Sequence, residues 1–316
     1  IAMATFRSPA VALMPDVTIK PLRSKANAVI NLMGSAGGII VLALGILFAT
    51  SSVKNSMMSY TKYFLVIAVV MLLALLIFKL TVREPRFVEE MHAQSRRFNI
   101  EEDDDEADAV SRKLSRAEKR SLFFILASIV FWFMGYNAVI SKYSVYASTI
   151  LGKDYNSTLI IAQLAAIISY LPVGFIASKA GRKNTILAGV VFLAVAFGAA
   201  SAIRSDTPVL IMNVLFALAG IGWATINVNS FPMVVEMCSG GDVGKYTGIY
   251  YTASMSAQIV TPIFSGFLMD RMGMLILFPY AVVFVILAFF TMLFVRHGDS
   301  KAEKREALEY LDVGDD

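Results

Sequence analysis

Charge is scarce in this chain. Only 16% of its 316 residues are Asp, Glu, Lys or Arg, against about 25% in an ordinary soluble domain. Cysteine occurs once, at Cys238, and histidine twice, at His92 and His297, far apart in sequence. A lone cysteine makes no intramolecular disulfide, so a secreted disulfide scaffold is excluded and a metal cluster is disfavoured. No phosphate-binding loop and no grouping of nucleophile, acid and base is present. The sequence therefore reads as no enzyme, with no cofactor and no metal. The net charge of +4 does not point to nucleic acid. In a chain this apolar it is the signature of basic loops at a membrane.

What the chain has in excess is hydrophobic residues, 57% of the total against about 45–50% in an ordinary soluble domain. They lie in long uncharged runs, each about long enough to cross a bilayer. Eight such runs are expected to be helices, over roughly 27–49, 63–82, 121–141, 157–177, 185–203, 209–235, 246–268 and 275–295. Residues 1–14 read as the exit end of a ninth. With the charged stretch 83–120 placed in the cytoplasm, the alternating faces put most Lys and Arg inside. The C-terminus then lies inside too, in a multi-pass protein of the plasma membrane.

The stretch 83–120 divides the chain. It carries an acidic run over 101–106, Asp108, and then a basic run from Arg112 to Arg120, the composition of a solvated linker. The expected organisation is a front bundle over 1–82, the linker 83–120, a six-helix rear bundle over 121–297 and a cytoplasmic tail over 298–316. The bundles echo one another. Asp16 precedes Lys25 by the same interval that Glu236 precedes Lys245, and small residues follow in both helices: Gly34, Ser35, Gly37 and Gly38, then Ala253, Ser254, Ser256 and Ala257. Such residues let membrane helices approach closely. Aligned this way, the front bundle is short by about three helices and part of a fourth, and two six-helix halves are the organisation of a major facilitator transporter.

Motifs carry a resemblance to that superfamily. Gly174-Phe-Ile-Ala-Ser178-Lys179-Ala-Gly181-Arg182-Lys183 resembles its cytoplasmic loop signature, with Ser178 where the pattern has Asp. Ser8-Pro9-Ala10-Val11-Ala12-Leu13-Met14-Pro15-Asp16-Val17, followed by Arg23-Ser24-Lys25-Ala26-Asn27-Ala28, is similar to a helix junction of the sucrose/proton symporters and the glycoside–pentoside–hexuronide:cation symporters. Val11 stands where their pattern has Arg. Gly222-Trp223-Ala224 with Phe231-Pro232 resembles their tenth helix. The resemblance implies an all-α integral membrane protein of the major facilitator fold, N-terminally truncated, holding about eight helices and the end of another of about twelve. It also implies a secondary transporter for a sugar or glycoside, coupled to protons or sodium. A drug or metabolite exporter of the same fold is the alternative, and a non-transporting membrane sensor a more distant one.

Sugar recognition needs flat aromatic faces and groups that both donate and accept hydrogen bonds. Candidates for substrate binding are Trp132, Tyr136 and Asn137 in the first rear helix, Gln163 with Tyr170, Asn227, and Gln258. Candidates for gating are the loop residues Gly174, Lys179, Gly181, Arg182 and Lys183, and the acid–base sets Asp16 with Lys25 and Glu236 with Lys245, read as inter-helix ion pairs. No apolar run holds an Asp or Glu near its middle. In the resembled families, coupling acids come largely from front helices absent here. The expected partners are thus a small-molecule substrate, a coupling cation and the lipid bilayer.

Overall fold

A computed structural model describes residues 10–19, 22–48, 59–98, 114–153, 155–237 and 243–299. Arg7, the acidic run over 101–106, Cys238 and the tail beyond 299 lie outside the described residues. Those described form helices and connecting turns, with no strand among them. A short α1 covers 10–16 and is followed by α2 (Arg23–Leu47), α3 (Thr61–Thr81), α4 (Glu84–Arg97), α5 (Arg116–Tyr146), α6 (Asn156–Ala180), α7 (Arg182–Ala200), α8 (Val209–Val235), α9 (Val243–Met272) and α10 (Leu277–Leu293).

Each of the eight expected spans is occupied by a helix. Six helical stretches are long and apolar enough to cross a bilayer: Thr61–Thr81, Arg116–Leu151, Thr158–Ala180, Arg182–Ala200, Val209–Val235 and Met274–Leu293. The other two spans are α2 and the more polar α9, whose sequence includes Thr247, Tyr250, Ser254, Gln258 and Thr261. The protein is an all-α membrane protein. Helix α5 starts earlier than its apolar run because Ser115 and Glu118 form a capping box. Ser115 Oγ accepts from the Glu118 N–H at 3.2 Å, and the Glu118 carboxylate accepts from the Ser115 N–H at 2.7 Å.

The first part of the stretch 83–120 is helix α4, with Pro85 near the start, Glu84 in the first turn and Arg96 and Arg97 in the last. Each charge sits where the helix dipole favours it, and an Arg86–Glu90 pair at 2.8 Å adds i,i+4 support.

In the rear half, α8 packs against both α6 and α7, while α5 packs against α9 and α10. Close contact between α7 and α8 depends on Gly189 and Gly222. A Cβ on either would lie within 2.8 Å of the other's carbonyl oxygen. Outward faces present Ile168, Leu210, Ile259 and Ile263, an apolar surface suited to lipid. Helix α3 buries no residue against the described helices. Helix α2 belongs to the front segment yet packs onto α6 and α8. There Ala28 joins Ala166, Tyr170, Val173, Ala224 and Val228 in a small apolar cluster separate from the main core. The contact of α2 with α6 and α8 is therefore a specific packed interface.

Candidate functional site

Four helices bring polar and aromatic groups together where α2 meets the rear bundle. On α5, Tyr136 stacks face to face on Trp223 of α8, with ring centroids 3.8 Å apart and planes at 2°. Phe133 meets the same indole edge-on at 5.1 Å. On α6, buried Tyr170 packs in the small cluster that holds Ala224, the neighbour of Trp223 on α8, and Ala28 of α2, the helix that also carries buried Ser35. At 1.5 Å of rise per residue, Ser35, Tyr170 and Trp223 each lie roughly 15–20 Å from the end of their helix on the side of the α6–α7 turn, close to mid-bilayer. The site therefore sits where α2 meets α6 and α8, at half depth.

The candidate amides, Asn137 and Asn227 on the helices of the stacked rings and Gln258 on α9, share one geometry. Asn137 Nδ2 donates to the Phe133 carbonyl at 2.8 Å and Asn227 Nδ2 to the Trp223 carbonyl at 2.9 Å, while Gln258 Nε2 reaches the Ser254 carbonyl at 3.3 Å. Each thus satisfies its donor on its own helix, one turn back. Their side-chain oxygens take no hydrogen bond from a described residue, so each keeps unused acceptor capacity. Gln163 is half-buried two helical turns from Tyr170 on the same face of α6. Trp132 is different. It is fully buried, its Nε1 without an acceptor among the described residues, so it lies beneath the site as part of the core. Tyr143 is likewise buried, against Phe216 with centroids 4.3 Å apart. Asn213 joins helices, accepting from Thr158 Oγ1 at 2.8 Å.

The gating candidates lie near the helix ends on the side of the α6–α7 turn. Gly181, at φ 87°, makes the sharp turn between α6 and α7, a conformation that glycine adopts without the strain of a Cβ. Arg182 follows it, buried, and pairs with Glu236 at the end of α8 at 3.0 Å. Glu236 therefore finds its cation across the rear bundle in the loop motif. The Arg182 main-chain N–H is capped by the Asp299 carboxylate at 2.7 Å. Lys183 Nζ donates to the carbonyls of Leu293 and Val295, at 3.0 and 2.6 Å, closing the C-terminus of α10. Ser121 Oγ and His297 Nδ1 lie 2.9 Å apart, so the segment after α10 is tied to α5 as well. Lys25 sits over the Phe175 ring at 4.7 Å, an α2–α6 contact. Gly174 is buried, while Lys179 and Lys245 are exposed. Asp16 closes α1 and is half-buried.

Trp223 and Asp299 were not among the sequence candidates. Trp223 has a readable signal, because it stands one turn before Asn227 on α8. Asp299 has none, since its role depends on the chain folding back after α10.

Comparison with known proteins agrees with this architecture. The family model of the Major Facilitator Superfamily matches residues 1–262 and 148–310. Two curated relatives are fungal, both described as MFS-type transporter ppzB. That of Metarhizium rileyi is 27% identical over 132 residues, covering 42% of this chain and 27% of the relative. That of Metarhizium majus is 26% identical over 119 residues, covering 38% and 25%. The chain thus matches about a quarter of each relative's length. Among solved structures, the proton:xylose symporter XylE bound to 6-bromo-6-deoxy-D-glucose superposes with a TM-score of 0.64 at 16% identity, covering 95% of this chain and 69% of that one. With a family match over most of its length and a shared helical fold, the chain belongs to the Major Facilitator Superfamily.

Proposed function

We propose that the protein is a secondary active transporter moving a sugar or glycoside by alternating access, coupled to a proton or sodium ion. The observation that carries this reading is the mid-depth stack of Tyr136 on Trp223, with Tyr170 on the adjoining α6 and with Asn137 and Asn227, whose side-chain oxygens take no hydrogen bond from a described residue. Aromatic faces pack on the C–H faces of a sugar ring, and amide and phenol groups pair with its hydroxyls. The site lies between a front body over 1–82 and a rear body over 121–297, joined by the stretch 83–120. Rocking one body against the other exposes such a site to each side in turn. The buried Arg182–Glu236 pair belongs to the rear body's inner end, and we place it with Lys25 and Lys183 among the groups that stabilise a closed inner face. That face, with the C-terminus beyond 298, is read as cytoplasmic in the plasma membrane.

A sugar symporter of the same fold, the xylose carrier, is consistent with this substrate class. The test is uptake of labelled mono- and disaccharides by cells expressing the full-length gene product, with and without a proton uncoupler and with sodium replaced. Saturable uptake that falls when one gradient is removed supports the reading. Export of lipophilic compounds with no sugar uptake favours the drug or metabolite exporter instead.

A further inference from the structure

Proline inside a helix leaves a carbonyl without its partner. Pro232 lies inside α8 and has no N–H, so the carbonyl one turn earlier, on Val228, lacks its intrahelical donor. Val228 is fully buried, and an unpaired carbonyl there is costly. The donor comes from the other half of the molecule. Asn27 of α2 is 4% exposed, and its Nδ2 donates to the Val228 carbonyl at 2.8 Å and the Asn227 carbonyl at 2.9 Å. Its two amide hydrogens thus close two α8 carbonyls.

The platform that aims Asn27 is itself held. Arg23, one turn earlier, donates to the carbonyls of Pro15 at 3.1 Å and Thr18 at 3.3 Å, fixing the base of α2. Asn31, one turn later, donates to the Asn27 carbonyl at 2.8 Å. Prolines also interrupt α6 at Pro172 and α9 at Pro262. Among the described residues, the carbonyl freed by Pro232 is the one that takes a side-chain donor from across the junction.

We infer that Asn27 is a positioning residue of the transport cycle, the pin that holds the inner ends of the two halves together by supplying the hydrogen bond that Pro232 denies to α8. The inference rests on the alternating-access reading and sharpens it. Opening the inner face separates α2 from α8 and strips Val228 of its donor, so the Pro232 gap makes opening costlier and favours the closed inner face. Asn27 touches no substrate in this role.

The experiment uses the full-length protein in membrane vesicles, with its native cysteines, Cys238 among them, replaced by Ser and one reporter cysteine at Ala224, buried where α8 faces α2. The readout is the rate of labelling by a membrane-impermeant thiol reagent, measured from each side. Asn27→Ala is expected to speed labelling from the inner side about fivefold, the effect of one net hydrogen bond on an equilibrium. Pro232→Ala restores an N–H for Val228, so Asn27→Ala made in that background is expected to change the rate little. Equal labelling of the parent protein and the Asn27→Ala variant overturns the inference, as does an equal effect of Asn27→Ala in both backgrounds. Labelling needs no substrate. A failure of sugar uptake would therefore sink the proposed function and leave this result to decide the pin.

Discussion

Arg182 and Glu236 form an ion pair at 3.0 Å with 4% and 8% of their side chains exposed. Such a pair stabilises only while both charges are present, because the desolvation cost falls on whichever is left alone. Removing one partner, as in Glu236→Leu, is expected to cost about 3–5 kcal/mol, while Arg182→Met with Glu236→Leu together costs much less. Thermal unfolding in detergent of the two single variants and the double variant measures this. Additive losses would mean the two charges do not act as a pair.

Arg182 is held a second time, through its main chain by Asp299. Asp299→Ala removes a carboxylate cap from the start of α7 and is expected to lower stability by about 1 kcal/mol, with Asp299→Asn retaining most of it. The same melting assay reads both variants. Equal loss in Ala and Asn would assign the effect to something other than the cap.

Contact between α7 and α8 is limited by two glycines. At Gly222 a Cβ would stand 2.7 Å from the Gly189 carbonyl oxygen, a backbone atom that cannot rotate away. Gly222→Ala is expected to destabilise the rear bundle by about 1–3 kcal/mol through overpacking. Gly198, with nothing within reach of its Cβ, serves as the control. Gly198→Ala should leave the melting temperature unchanged or raise it.

The sequence made the helices plain because lipid demands long apolar runs with internal backbone pairing. It was less informative about side-chain partners. Glu236 reads naturally as a partner for Lys245, since both close the same turn, yet it pairs with Arg182 from the loop motif. Trp132 reads as a site aromatic beside Tyr136, yet packing seals it in the core. Asn27 appears in the sequence only as part of a motif. Its role becomes visible once Pro232 is seen one turn beyond the carbonyl it serves. In each case the deciding quantity is which helix faces which, and periodicity along one helix does not carry that.

Within the site, the Tyr136–Trp223 stack makes a graded prediction. Trp223→Ala is expected to raise the KM for the transported sugar roughly two- to tenfold, and Trp223→Phe less, because an aromatic face is retained. Asn137→Leu, which keeps volume and removes the free amide oxygen, is expected to raise KM by a similar factor. Initial-rate uptake at several sugar concentrations separates KM from maximal rate. A fall in maximal rate with KM unchanged would place these residues outside the binding site.

The central claim, sugar exchange through a site alternately open to each side, is tested most directly by counterflow. Purified full-length protein is reconstituted into liposomes preloaded with unlabelled sugar and diluted into a trace of labelled sugar, with no ion gradient. A transient accumulation of label above its equilibrium level is predicted for at least one sugar or glycoside, abolished by excess unlabelled sugar outside. Label that enters no faster than into protein-free liposomes, for every sugar tried and with folded protein in the membrane, would contradict the account.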